Sequence, residues 1–442
     1  MQRTFYTKIF TIVLAVIVPL SFCTEVAARP NATIKYSLIR AENPQNEKSV
    51  LILPYVFPLD SMGTTMGVGG GVKGYGQEQM LIGGTVYGSS DSAYGLILGV
   101  LDFKIPRTER FFFSAIGAIG YYPRQRAYSE KPNGYTGKRS GSNDSDKDDY
   151  LEFSGDDNWW EMQLEYVLPI GSMKTSGMGT YNLKNGMLVS GATGGDQWNP
   201  LKSGATVLIL RQFNRYQAYE TDDGIIDGTI HPLELGILYD NTDFQPNPSS
   251  GSCQYLAITQ DFGWFESKDT WTFLEFEASK YFSFGETDLA RQRVLALNFW
   301  TGNSPTWTTE TDADGVTTIS DRPPFLEGAK LGGFYRMRAY PNNRFNDKSV
   351  IYTTAEYRYI PRWNPIGEIS WLHWLNMDWM QFVGFVEGGR VAPDYTANDL
   401  FSDWKVDAGI GFRAMMAGDV VRFDLAASDE GAAAWVMFGH PF

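Results

Sequence analysis

Segment after segment of the chain alternates apolar and polar positions with a period of two over about ten residues, as strands do when their two faces meet different surroundings. In Val420–Ala427, Val421, Phe423 and Leu425 share one face, and Arg422 and Asp424 share the other. Over Lys405–Met415, Val406, Ala408, Ile410, Phe412 and Ala414 oppose Asp407, Gly409, Gly411 and Arg413. One face suits lipid and the other a wet lumen, which is the signature of membrane-crossing strands. The same pattern predicts strands at Thr64–Tyr75, Gln79–Gly88, Tyr94–Ile105 and Arg110–Tyr122, a weaker one at Arg124–Tyr128, then Asn158–Pro169 and Gly204–Tyr219. Leu233–Tyr239, Cys253–Phe262, Trp271–Phe284, Arg293–Trp300, Ser349–Tyr359 and Met380–Glu387 follow. Three more at the C-terminal end bring the expected total to sixteen, an even number that antiparallel closure allows.

A soluble sandwich would bury its apolar faces against a second sheet. The end of the chain argues for lipid instead. Counting back from Phe442 in twos gives His440, Phe438, Val436 and Ala434, a terminal aromatic in phase with an apolar face. Trp159, Trp160, Tyr121, Tyr122, Trp371, Trp374 and Trp379 are candidates for the aromatic girdles of a transmembrane β-barrel. The one long apolar run, Ile9–Phe22, follows Arg3 and Lys8 and precedes the small-residue site Val26-Ala27-Ala28. That is a secretory signal over residues 1–28, too short for a spanning helix. Residues 29–60 are then expected to form a short periplasmic stub and 61–442 the barrel.

Composition narrows the classes further. The 13 Trp, 24 Tyr and 28 Phe, beside 46 Gly, exclude disorder and argue against a helical bundle. The net charge of -14 becomes -15 when Arg3, Lys8 and Glu25 leave with the signal, which disfavours nucleic acid as a partner. Cys253 is then the sole cysteine, so no intramolecular disulfide is available. Two acidic stretches resemble cation loops only superficially. In Gly141–Asp157, Asp149 sits where a calcium loop needs glycine. Around Glu310, Asp312, Asp314, Gly315 and Asp321 the terminal Glu is missing, and a hairpin turn explains Gly315 better. No metal site and no cofactor are expected. His231, His373 and His440 form no hydrolase motif, and no phosphate loop follows a strand, so an enzyme is not expected.

One segment carries a functional reading. Leu331-Gly332-Gly333-Phe334-Tyr335-Arg336-Met337-Arg338-Ala339-Tyr340-Pro341 precedes a strand ending Glu356-Tyr357-Arg358-Tyr359. Here the chain resembles the bacterial surface antigen superfamily of outer-membrane barrels, which includes Bam-type assembly barrels and two-partner secretion transporters. Arg338-Ala339-Tyr340 stands where their long sixth extracellular loop carries Arg-Gly-Phe or Arg-Gly-Tyr, with Ala339 in place of the glycine. Asp240-Asn241-Thr242-Asp243, followed by Pro246, Pro248 and Gly251, resembles the family's turn between strands eight and nine. Phe385, Glu387 and Gly389 resemble its Phe-x-Asp-x-Gly strand. Gly409–Arg413 and Gly439–Phe442 resemble its C-terminal strands, so that Val436, Phe438, His440 and Phe442 mark strand closure.

The resemblance implies an all-β, 16-stranded antiparallel transmembrane barrel in the outer membrane of a Gram-negative-type bacterium. It also implies a sixth loop folded into the lumen, with Arg338 held by the Glu387-bearing strand. If Phe442-phase residues face lipid, Glu356, Arg358, Phe385, Glu387 and Gly389 point inward, and the planar fork of Arg338 suits two carboxylates on neighbouring strands. Gly389 would leave room for the loop tip. The alternative is that these are ordinary lumen charges facing water. The chain is similar to the branch lacking periplasmic POTRA domains. The implied partners are outer-membrane lipid and lipopolysaccharide, the barrel-assembly machinery during biogenesis, and an unidentified protein or lipid client reached through a seam between first and last strands. The competing function is a passive or gated porin-like solute channel.

Overall fold

The computed structural model describes residues 33–442 apart from 42, 47, 60–61, 132, 196, 222–223, 268, 365–376 and 417. The signal segment, Trp371, His373 and Trp374 lie outside the described residues. One antiparallel sheet dominates, in which each strand bonds to the next along the chain from Ser49–Leu59 to Ala432–Phe438. Gly224–Ile230 and Leu233–Asp240 both pair with the long Ala205–Thr221, so they are two halves of one strand. The seventeen segments in the sheet order therefore make sixteen strands.

The total agrees with the periodicity, but two of its members differ. Ser49–Leu59, expected within the stub, is the first strand and pairs residue for residue with Gly63–Lys73. Pro54 and Pro58 interrupt its pattern; four residues apart, both withhold an N–H from the same side of the strand. Arg124–Tyr128 is not a strand of its own. Phe111–Ala127 is continuous, and a register shift between Tyr122 and Gln125, around Pro123, breaks its alternation. Likewise Leu151–Val167 begins well before Asn158, taking Asp156 and Asp157 out of the acidic stretch and into a strand.

The two faces of the sheet reverse the arrangement of a soluble protein. Ile52 and Val406 are each 61% exposed and Ile410 is 65% exposed, whereas Glu165, Glu356, Arg413 and Asp424 are 0% exposed. Burying charge while leaving aliphatic side chains outside is unfavourable in water and favourable in a bilayer. Three girdle candidates fall on the wrong face for that role. Trp159, Tyr122 and Trp379 are buried inside, with the Trp379 indole N–H donating to the Gly186 carbonyl at 3.0 Å and Tyr122 bonded to the Tyr87 hydroxyl. Strand alternation leaves only one of two adjacent aromatics for lipid.

Ala432–Phe438 comes round beside Ser49–Leu59, and Val436 shares a buried cluster with Tyr55, Met62, Tyr87, Ala93 and Tyr122. The strand ends at Phe438. Gly439, at φ +74°, turns the chain inward, so His440 and Phe442 are buried rather than lipid-facing. Phe442 packs with Tyr281, Val294 and Ala296, and the Arg358 guanidinium lies 5.0 Å from the centre of its ring.

The segment from Ile170 to Ser203, between two expected strands, supplies two further strands. Gly179–Lys184 pairs in parallel with Tyr36–Arg40, and Met187–Ser190 and Asn43–Asn46 flank them. This small sheet packs against the interior of the main one. Leu38, Tyr181 and Leu183 join one buried cluster with Phe244, Ile360, Met415 and Val420. Lys35 is ion-paired to both Asp102 and Glu165. Burial opposes the charge on Lys35, but those two carboxylates outweigh it and raise its pKa.

Candidate functional site in the bore

The long segment between Ala290–Asn303 and Ser349–Pro361, the eleventh and twelfth strands, doubles back into the sheet's interior. Its outer part is the expected hairpin, Thr308–Thr311 against Thr317–Ser320, turning at Gly315 with φ +80°. Its inner part is closed by Ala329–Leu331 pairing with Phe345–Asp347, both buried. Gly332 and Gly333, at φ +108° and +107°, make the bend into the tip, where a side chain would be strained. Met337 is left-handed at φ +58°, and the Tyr340 N–H bonds the Met337 carbonyl at 3.0 Å. Ala339 is not among the left-handed residues, so alanine there fits without strain.

Arg338 sits at this tip with its side chain 0% exposed. Three strands reach its guanidinium: Glu356 on the twelfth strand at 2.9 Å, Glu387 on the thirteenth at 3.2 Å and Asp424 on the fifteenth at 2.8 Å. The guanidinium carbon is 3.4 Å from the centre of the Phe385 ring, adding a cation–π contact. The backbone of the tip is held as well. The Arg338 N–H donates to Glu387 at 2.6 Å, the Trp435 indole donates to the Arg338 carbonyl at 2.7 Å, and the Ala339 N–H donates to Asp407 at 3.0 Å. The Tyr340 hydroxyl donates to Asp429 at 2.9 Å. Burial works against the charge on Arg338, but Glu387, Asp424 and Glu356 prevail and raise its pKa well above the ordinary arginine value.

Further guanidinium groups surround the tip. Arg413 donates to both Glu356 oxygens at 2.8 and 2.9 Å, Arg358 to Glu356 at 2.9 Å, and Arg422 to Asp424 at 2.8 Å. With Arg338 these four guanidinium groups face Glu356, Glu387, Asp407 and Asp424. A buried charge is tolerated only when it is paired, and each of these guanidinium groups lies within ion-pair distance of a carboxylate. Glycines make it fit. A Cβ at Gly409 would stand 2.3 Å from the Phe385 ring, and one at Gly411 2.4 Å from an Asp424 oxygen. Gly389 also provides room, although the group beside it is Leu331 at 2.9 Å rather than the tip.

The loop is anchored beyond its tip. Arg336 pairs with Glu277 at 2.9 Å and lies over Trp300, Arg422 donates to the Phe334 carbonyl at 2.6 Å, and Arg344 pairs with Glu430 at 2.7 Å. His440, read as a strand position, accepts at 2.7 Å from Arg413 through its Nδ1, from the inturned tail. At the opposite rim, Asp240 ends the eighth strand and Gly251 begins the ninth. Asp240 accepts from the Thr242 N–H at 2.8 Å, Asn241 accepts from Ser203 at 2.7 Å, and Asp243 accepts from the Ser249 N–H at 2.9 Å. Pro246 lies in the wall of the adjoining cavity. Glu356, Phe385 and Glu387 therefore meet Arg338, whereas Val436, Phe438 and Phe442 do not touch it. Asp407, Asp424, Trp435 and Tyr352, whose hydroxyl donates to Glu387 at 2.5 Å, were not singled out by the sequence as partners. The wet-face phase of Asp407 and Asp424 was the only signal they gave.

The Omp85 superfamily domain matches residues 206–431, just over half of the chain. Among solved structures, the fold is similar to CdiB from Escherichia coli, with a TM-score of 0.54 at 12% identity, covering 88% of this chain and 61% of that one. CdiB from Acinetobacter baumannii gives 0.48 at 12% identity, covering 89% and 60%. BamA from Haemophilus ducreyi lacking POTRA domains 1-3 gives 0.48 at 10% identity, covering 90% and 71%. The chain thus spans about 60% of each CdiB chain. No curated protein matches its sequence.

Proposed function

The chain belongs to the Omp85 superfamily of outer-membrane barrels, and from that premise we propose that it closes into a sixteen-stranded barrel that moves or inserts protein or lipid clients. Its bore is plugged by the Arg338 loop, and clients use the seam between Ser49–Leu59 and Ala432–Phe438. The observation that carries this reading is the fully buried Arg338 guanidinium, bonded by carboxylates of three different strands. A passive pore needs charges facing water; here the bore's centre is filled by an ion-paired cluster, and the small sheet containing Tyr36–Arg40 packs against the interior of the main one. The seam fits a client because an edge strand offers unpaired N–H and C=O groups as a template for strand addition.

The experiment is a cysteine pair across the seam, Tyr55→Cys with Val436→Cys, in a Cys253→Ser background. Oxidation should abolish complementation of a deletion strain and reduction should restore it. Full activity with the seam locked would remove lateral opening from the mechanism. A large, steady conductance of the wild-type protein in planar bilayers would instead favour a porin.

A further inference from the structure

The bore is lined unevenly. From Arg211, which pairs with Glu161 and Glu234, round to Arg422 its inner face carries ion pairs. The first five strands instead present mainly Gly, Leu, Ile and Thr, with Lys73 and Asp102 at one rim. Against this wall lies a cavity of about 520 Å³, bounded on this side by Leu51, Leu81, Ile97, Leu101, Ile116 and Phe438 and elsewhere by polar residues that include Lys73, Asp102, Glu161 and Asp419. Gly71, Gly83 and Gly99 also line it, contributing backbone where other strands would project side chains. Farther along the same strands the equivalent space is closed. Cβ atoms at Gly67 and Gly95 would stand only 2.3 Å and 2.2 Å from the Tyr55 and Tyr87 side chains that cover them.

We infer that this cavity is a binding site for one acyl chain of a membrane lipid. Its volume lies within the usual range for ligand pockets. Apolar cavities do not hold water well. A polypeptide would bring N–H and C=O groups that need partners, and most of the wall's own polar side chains are already engaged. Thr85 bonds the Val68 carbonyl, Gln79 the Asp102 carbonyl, Glu161 pairs with Arg211 and Lys73 with Asp419. An alkyl chain asks for none of these, and among the buried polar atoms of the described lining side chains only Trp159 Nε1 and His440 Nε2 are left without a partner. Leu51 and Phe438 belong to the first and last strands, so the cavity lies directly behind the seam, and the neighbouring Ile52 and Val50 face the bilayer. The inference does not depend on which client the barrel moves.

The test uses vesicles of phosphatidylethanolamine and phosphatidylglycerol carrying a diazirine in one acyl chain, with the full-length protein reconstituted and the photoproducts mapped by mass spectrometry. Labelling is expected at the inward Leu81, Ile97 and Leu101 as well as at the outward Ile82 and Leu98. Ile97→Trp, which fills the cavity, should lower inward labelling about tenfold and leave Ile82 and Leu98 unchanged. Leu81→Phe is the milder second variant, and heat-modifiable gel mobility reports folding of both. Labelling confined to Ile82 and Leu98, or inward labelling indifferent to both substitutions in folded protein, would overturn the assignment.

Discussion

Replacing Arg338 with alanine removes one guanidinium from three carboxylates, and they are not left equally bereft. Glu356 keeps Arg358 and Arg413, and Asp424 keeps Arg422, but Glu387 keeps no cation, being left with the Tyr352 hydroxyl, the loop N–H and the Asp407 carboxyl among the described residues. Breaking one side of a buried ion pair costs about 3–5 kcal/mol. At about 1.4 kcal/mol per tenfold, the equilibrium for release of the loop shifts by roughly two to three and a half orders of magnitude. The tip retains Ala339 on Asp407 and Tyr340 on Asp429, and the loop retains Arg336 on Glu277, so the variant should open often rather than remain open. The assay is single-channel recording in planar bilayers, with antibiotic sensitivity of cells as the in vivo counterpart. Open events should become far more frequent in Arg338→Ala. Arg338→Lys should rescue only partly, because it lacks the fork. Adding Glu387→Gln to the alanine variant should recover part of the block by removing the stranded charge. Unchanged conductance and sensitivity, in protein with intact heat-modifiable mobility, would refute the tether.

Four other outcomes follow from the same structure. Because Arg338 has a raised pKa, its charge contributes stability at every pH below the ordinary arginine value and is lost only as pH rises through the higher one, so basal conductance should be flat from about pH 6 to 8. Lys35→Met strands Asp102 and Glu165 and should loosen the small sheet, measured as several-fold faster proteolysis within residues 33–46. Gly251→Ala forces a Cβ to 2.0 Å from the Asn241 carbonyl at φ +95°, costing at least about 1–3 kcal/mol, and should lower the temperature at which the folded gel band disappears. Ile410→Arg puts a charge on the lipid face and should cost about 2–4 kcal/mol in urea titration of the folded band.

The sidedness of most strands was legible because a period of two survives wherever one face meets lipid. It failed where local geometry interrupts it. The bulge around Pro123 split one strand into two, and Pro54 and Pro58 hid the first. Counting in twos from Phe442 assumed a strand to the last residue, whereas Gly439 ends it and sends Phe442 onto Arg358. Arg338 could be found from its motif, and Glu356 and Glu387 from their phase. Asp407, Asp424 and Trp435 could not be matched to Arg338, because they lie 69, 86 and 97 positions away and meet it only when the sheet wraps round the loop. The pairing of Tyr36–Arg40 with Gly179–Lys184 was equally hidden, since a parallel match between distant short segments leaves no local pattern.

The most direct measurement of the central claim places the loop tip in the bore of the protein in its own membrane. Ala339→Cys and Asp407→Cys, in a Cys253→Ser background, put thiols on two residues already joined by a 3.0 Å hydrogen bond. Treating intact outer membranes with a short thiol crosslinker should join them in nearly every folded molecule, with the expected linked peptide found after digestion. A folded, heat-modifiable protein that shows no such link would mean that the tip lies elsewhere.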